Sequence, residues 1–350
     1  MLQELDDDAL ELLWVGGEGG MEEDLVSRAG HQITSLPAAG LHGVGLRALP
    51  GNLAQLWRGF WKARRLLKDF QPDVLFFTGG FVAAPIALAG RNTPTLAFVP
   101  DVKPGLALRL IANFADVIAV VSEASKRYFH RSKRVEVTTY PLRKELANWD
   151  QPSARAHFNL SSDLPTLLVF GGSKGARSIN QAIVSFLDDL LPEMHILHVT
   201  GTLDWPEIKN VTANLPKNLK SRYHAFKYLH EDMGAALAAS DLVLSRAGAS
   251  ALGEFPLFSL PAVLVPIPFE KHIQHLNADF LSNRGAALIL EDEEMNSTLL
   301  PALQELMKDQ QRRDGMAAAM SKLANPKAAK HLANILLDLA DSERKESLPA

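Results

Sequence analysis

Short runs of continuously apolar residues recur along this chain, each followed by a stretch of helical periodicity. In the first half they are Leu12–Val15, Val74–Thr78, Thr95–Val99, Val117–Val121 and Val135–Thr138. In the second half they are Thr166–Phe170, His195–Val199, Leu242–Leu244, Ala262–Val265 and Ala287–Leu290. A strand covered on one face alternates apolar and polar residues; a run apolar throughout needs cover on both faces. Parallel strands with helical crossovers supply that cover, so the expected class is α/β, built as doubly wound Rossmann-like domains. At 350 residues the chain exceeds one ordinary core, and two domains are expected. Residues 1–142 form the first and 165–340 the second, with the last helix able to pack back on the first. The polar stretch 143–164, containing Pro152 and flanked by Pro141 and Pro165, is expected as a linker, and 341–350 as a disordered tail.

Composition excludes several functions. A net charge of −4 rules out a globally basic nucleic-acid binder. Without cysteine there are no disulfides, no thiolate metal sites and no cysteine nucleophile. The N-terminal MLQELDDDALELL is acidic where a secretory signal would be basic. The long uncharged stretch Val74–Gly90 is broken by Gly79, Gly80 and Pro85, so it reads as strand, turn and helix rather than a membrane span.

The chemistry concentrates in residues 241–278. An apolar strand runs into the small-residue turn Ser245–Ser250, with Glu254 following and a polar loop carrying Gln274 and Asn277 beyond the next strand. Such a turn presents free N–H groups to a phosphate, and Glu254 lies about one to two helical turns on, where ribose hydroxyls would fall. That is the layout of a nucleotide-sugar site. Gly171-Gly172-Ser173-Lys174-Gly175 closes another strand but matches neither G-x-x-x-x-G-K-[ST] nor G-x-G-x-x-G. Alone it could be a plain strand-to-helix turn; two such loops at the carboxyl ends of parallel strands favour ligand binding. Gly79-Gly80-Phe81 is a third loop of this kind. His272 and His275 with Glu270 lack the H-E-x-x-H pattern, so no metal is expected, and no Gly-x-Ser-x-Gly supports a serine hydrolase. Helical spacing over Leu53–Lys68 sets Trp57, Phe60 and Trp61 on one face among Arg58, Lys62, Arg64, Arg65 and Lys68. This fits a membrane interface with anionic headgroups or, equally, an amphipathic core helix with snorkelling cations.

Taken together, Ala39–Gly45, Gly79–Val82, Gly171–Arg177, Ser245–Ala249 and the Gln274…Asn277-Ala278 loop resemble the bacterial lipid-I N-acetylglucosaminyltransferase family (MurG), from about Leu12 to Leu339. The resemblance implies a GT-B architecture, two Rossmann-like domains facing a cleft. It implies a UDP-N-acetylglucosamine donor in the second domain and no metal or other cofactor. Leu229-His230 would lie beside the uracil, Glu254 at the ribose, and Ser173 with Gly248, Ala249 and Ser250 at the diphosphate. Gln274 would reach the sugar, and Arg143 would stand near the cleft. The first domain would present a lipid-linked muramyl-peptide diphosphate, with Gly40, Gly43, Gly79 and Gly80 on the acceptor side. Trp57, Phe60 and Trp61 would dock on anionic lipid at the cytoplasmic face of the cell membrane. The implied reaction is an inverting transfer in peptidoglycan synthesis, serving cell-wall biogenesis, cell shape and division.

Three departures accompany the resemblance. The family opens with a strand and a G-G-T-G-G-H loop that nothing before Leu12 matches, so roughly 20 further residues, a strand, loop and half helix, are expected upstream of Met1. Asp101, in Val99-Pro100-Asp101, stands where the family carries an amide. His42 stands where an arginine is usual in the Gly-Leu-x-Gly loop. These two remain the candidates for the catalytic base. The alternatives are a related transferase with another UDP-sugar or lipid acceptor, a non-catalytic UDP-sugar-binding protein, and a UDP-sugar epimerase.

Overall fold

The computed structural model describes residues 1–5, 10–18, 22–37, 49–80, 82–172, 175–268 and 273–346. The chain divides into two compact units, Met1–Thr138 with Ala329–Ala350, and Thr139–Ala328.

In the first unit a parallel pair, β1 (Trp14–Gly17) and β2 (Ile33–Leu36), accompanies a four-stranded parallel sheet. That sheet comprises β3 (Leu75–Phe77), β4 (Thr95–Val99), β5 (Val117–Val120) and β6 (Arg134–Val137), in sequential order. Every residue of β4 and β5 is buried, as their uninterrupted apolar sequences require. The core gathers Leu36, Phe77, Ile86, Val99, Ile111 and Ile118. The helix Ala328–Glu346 extends into the stretch expected as a disordered tail, correcting that expectation as far as Glu346; 347–350 lie outside the described residues. Its residues from Ala329 onward cluster with this unit.

The second unit holds a six-stranded parallel sheet of β7 (Thr166–Phe170), β8 (His195–Val199), β9 (Tyr223–Phe226), β10 (Leu242–Ser245), β11 (Ala262–Leu264) and β12 (Ala287–Ile289). The spatial order is β12-β11-β10-β7-β8-β9. The winding therefore reverses between β7 and β10, the switch point at which open parallel sheets bind their ligands. Register places Phe170 beside both Ser245 and Val199. The Gly171, Arg246 and Thr200 loops consequently leave one edge of one sheet side by side.

The 143–164 stretch is folded rather than extended. It forms a 3-10 helix, Lys144–Asn148, and an α-helix, Gln151–His157, within the second unit. Pro152 sits in the first turn, where a missing N–H breaks no helical bond, and the Asp150 carboxylate accepts from Ser153 N–H at 2.8 Å. Arg155 anchors the segment, donating to Asp241 at 2.5 Å and to the Ala239 carbonyl at 3.2 Å. Leu146, Ala154 and Phe158 are buried. Among the described residues no helix is long and apolar enough to cross a membrane.

Candidate functional site

Beyond β10 the chain turns through Arg246–Ser250 into the helix Ala251–Leu257. The Gly248, Ala249 and Ser250 carbonyls accept from the N–H groups of Ala251, Leu252 and Gly253, and Ser250 O also accepts from Glu254 N–H at 2.8 Å. The N–H groups of the turn itself thus precede the first helical bonds, as an anion-binding turn requires. Glu254 stands one turn after Ser250, whose hydroxyl hydrogen-bonds its carboxylate. Burial pushes the Glu254 pKa above its ordinary value, while the Ser250 bond and the charge of Arg143 pull the other way without cancelling it. The residues expected at the ribose and near the donor, Glu254 and Arg143, are thereby brought together.

Arg246 fastens the turn to its surroundings. Its guanidinium donates to the Val265 carbonyl at 3.0 Å, to Ser178 Oγ at 2.7 Å and to the Asp292 carboxylate. Ser178 Oγ in turn donates to Asp292 at 2.8 Å. One side chain so joins segments following β7, β10, β11 and β12. Beyond β11, Ile267 N–H donates to Gln274 Oε1 at 3.1 Å, and buried Asn277 donates to the Ala247 carbonyl at 3.1 Å. Gln274 and the 246–250 turn are therefore held on the same edge. Arg246 was legible in the sequence as a member of the turn, but its partners were not.

At the end of β7, Gly172 and Gly175 adopt left-handed backbone, and Gly175 N–H donates to the Gly172 carbonyl at 3.0 Å. A Cβ on Gly175 would collide with the Thr200 carbonyl oxygen, so this glycine lets the loop rest on the end of β8. Ser173, expected at the diphosphate, lies outside the described residues. His230 follows β9, exposed, its ring 4.5 Å from that of Tyr228, with Leu229 buried beside it. Among the described residues no cluster of three or more His, Asp or Glu side chains is arranged to hold a metal; Glu270 and His272 lie outside them, and His275 Nε2 is 3.3 Å from Glu291.

In the first unit Gly79 and Gly80 follow β3, both with positive φ, and Asp101 follows β4 at intermediate exposure. Gly40, His42 and Gly43 lie outside the described residues. The helix Leu49–Phe70 carries Trp57 at 63% and Trp61 at 50% exposure, with Phe60 between them and ring centroids 5.7–6.2 Å apart. Among its described side-chain positions the buried ones are Gly59 and Ala63. The small residues face inward and the tryptophans outward, the reverse of an ordinary core helix. Three exposed apolar residues that the sequence reading missed, Leu106, Leu110 and Phe114, lie on or just after the helix Leu106–Ile111.

Two family models cover the chain. Glycosyltransferase family 28 N-terminal domain matches residues 1–133, and its C-terminal domain matches 166–332. The UDP-N-acetylglucosamine--N-acetylmuramyl-(pentapeptide) pyrophosphoryl-undecaprenol N-acetylglucosamine transferase of Roseiflexus sp. is 41% identical over 93% of this chain and 82% of its own length. The chain belongs to glycosyltransferase family 28 and, within it, to the MurG family. Acinetobacter baumannii MurG has the same fold, with a TM-score of 0.74 at 24% identity, covering 96% of this chain and 93% of that one. The Neisseria meningitidis UDP-GlcNAc 2-epimerase bound to UDP-GlcNAc shares the fold at 13% identity, with a TM-score of 0.63 over 93% of this chain and 98% of that one. The GT-B architecture thus serves both transferases and epimerases, and the sequence relationship places this chain with the former.

Proposed function

We infer that this chain transfers N-acetylglucosamine from UDP-N-acetylglucosamine to a lipid-linked muramyl-pentapeptide diphosphate. The observation that carries this reading is the 41% identity, over nearly the whole chain, to a relative named for that reaction. Fold alone would not choose a chemistry.

In this reading the second unit holds the donor. Glu254 accepts the ribose hydroxyls, Leu229 and His230 border the uracil, and Arg143 adds positive charge beside Glu254. The diphosphate rests against Gly248, Ala249 and Ser250 and against Ser173 of the glycine-rich loop. With its Oε1 engaged by Ile267, Gln274 would offer its NH2 end to the sugar. The acceptor hydroxyl attacks the anomeric carbon as the bond to the diphosphate oxygen breaks, so negative charge grows on departing UDP. Backbone N–H groups fixed before the reaction stabilise that charge without reorganising. Asp101, with His42 as the other candidate, would take the hydroxyl proton.

The lipid-linked acceptor calls for a membrane surface. Outward-facing Trp57 and Trp61, with Arg64 5.8 Å from the Trp61 ring centroid, support docking of this unit on anionic lipid, and in this reading the face met is the cytoplasmic one.

Titration of the protein and of Glu254→Ala with UDP-N-acetylglucosamine, UDP-glucose and UDP tests the donor half. Selective binding of the acetylated sugar, abolished by the substitution, is expected. Indifference to the sugar, or to Glu254, would refute the assignment. Transfer of labelled sugar to the lipid diphosphate tests the acceptor half.

A further inference from the structure

A buried polar chain runs beneath the glycine-rich loop and makes no part of the site described above. His198, in β8, is wholly buried, as are Asn180 of the helix Arg177–Ser185 and Tyr223 at the start of β9. His198 Nδ1 lies 2.8 Å from Tyr223 Oη, and its Nε2 lies 3.0 Å from Asn180 Oδ1. The Asn180 amide nitrogen donates to the Thr200 carbonyl at 2.8 Å and to Asp204 Oδ2 at 2.8 Å. Both of those partners are acceptors, so the amide cannot be turned round, and Oδ1 must accept from His198. His198 therefore carries its proton on Nε2, and its Nδ1 accepts from the Tyr223 hydroxyl. Donation runs one way, from Tyr223 through His198 and Asn180 to Thr200 and Asp204.

Burying three polar side chains in an apolar core is costly unless each is satisfied, and here the chain satisfies them all. Burial lowers the His198 pKa to about 3, so the imidazole stays neutral and the direction of donation does not reverse near neutrality. The chain ends at the loop that supports the phosphate side of the site. The Thr200 carbonyl that Asn180 holds is the atom against which Gly175 packs with no room for a Cβ. Asp204 Oδ1 lies 4.0 Å from Nε of Arg177, the first residue of the helix that follows the glycine-rich loop.

We propose that Tyr223, His198 and Asn180 form a positioning relay, fixing the Thr200–Asp204 loop against Gly175 and Arg177 so that these two residues are set in place for the donor diphosphate. The proposal rests on the donor-site reading above. None of the three residues touches a reacting atom; each acts through the loop backbone. A relay of this kind affects recognition of the phosphates and leaves recognition of the nucleoside alone.

The test compares the whole protein with Tyr223→Phe and Asn180→Asp, titrating each with UDP and with uridine and measuring donor KM against kcat. Tyr223→Phe keeps the ring and removes one donor, and Asn180→Asp sets carboxylate oxygens against two acceptors. Expected is about tenfold weaker UDP binding in Tyr223→Phe, more in Asn180→Asp, with donor KM raised and uridine affinity unchanged. A Tyr223→Phe protein with a lowered melting temperature but wild-type UDP affinity would mean packing only and overturn the relay. Equal losses for UDP and uridine would overturn it too. Wild-type protein that binds uridine and UDP equally well would remove the diphosphate site itself, a failure of the donor reading separable from failure of the relay.

Discussion

A Cβ on Gly253 would stand 2.9 Å from the Cβ of Tyr140 and 3.2 Å from its carbonyl oxygen. The helix carrying Glu254 therefore touches the segment leading to Arg143 through a gap that only glycine leaves. Thr139 bends that segment with a φ of 63°, in the left-handed region where a β-branched residue is strained. The close approach joins residues remote in sequence and leads the chain to Arg143, whose charge acts on Glu254.

Gly253→Ala should accordingly push the 139–143 segment away and cost about 1–3 kcal/mol by overpacking. Denaturant unfolding reads the stability, and UDP titration reads the consequence for Glu254. Full stability with intact UDP binding would show that Tyr140 yields freely.

Glu254 predicts opposite effects on stability and binding. Its pKa is raised in the folded protein, so the native state retains a proton that the unfolded chain has lost between pH 4.5 and the raised value; stability falls as pH rises through that window and stays lowered above it. The penalty is absent below pH 4.5, where folded and unfolded forms are both protonated. Glu254→Gln should therefore melt higher than wild type at about pH 7.5, with the gain vanishing on acidification, while UDP binding weakens about 10–100-fold. A variant less stable than wild type at neutral pH would contradict the direction of the shift.

Arg246→Lys tests whether the guanidinium fork is needed. A single ammonium cannot span Val265, Ser178 and Asp292 together, and it leaves the half-buried Asp292 carboxylate poorly paired. A loss of about 3 kcal/mol is expected in urea unfolding. A change within experimental error would mean the network is dispensable.

Trp57→Ser with Trp61→Ser should leave the melting temperature nearly unchanged, because both rings face solvent. Sedimentation with anionic phospholipid vesicles should fall several-fold, whereas neutral vesicles serve as the baseline. Undiminished sedimentation would remove these rings from the docking surface.

The strands Thr95–Val99, Thr166–Phe170 and His195–Val199 have the bounds expected from their apolar runs, because continuous burial leaves a continuous trace. β2 escaped notice: Thr34 and Ser35 interrupt its apolar pattern. β9 escaped too: past buried Tyr223 its residues are only partly buried, so no continuous apolar run marks it. The stretch containing Pro152 is expected from sequence as a linker, yet Pro152 opens a helix, a distinction that depends on where the first turn falls.

What the sequence alone determined was local: which runs must be buried on both faces, that small-residue turns follow them, and that Glu254 lies about one to two helical turns beyond the last of these turns. The partners of Arg246 lie 19–68 residues away, and Asn180, His198 and Tyr223 sit 18 and 25 residues apart. Those pairings were decided by strand order, which sets β7 between β10 and β8 and so gathers loops from distant parts of the chain at one edge. Periodicity records how each residue faces its own element's environment. A buried hydrogen bond needs two groups within about 3 Å at a fixed angle, and only the packed sheet brings them there.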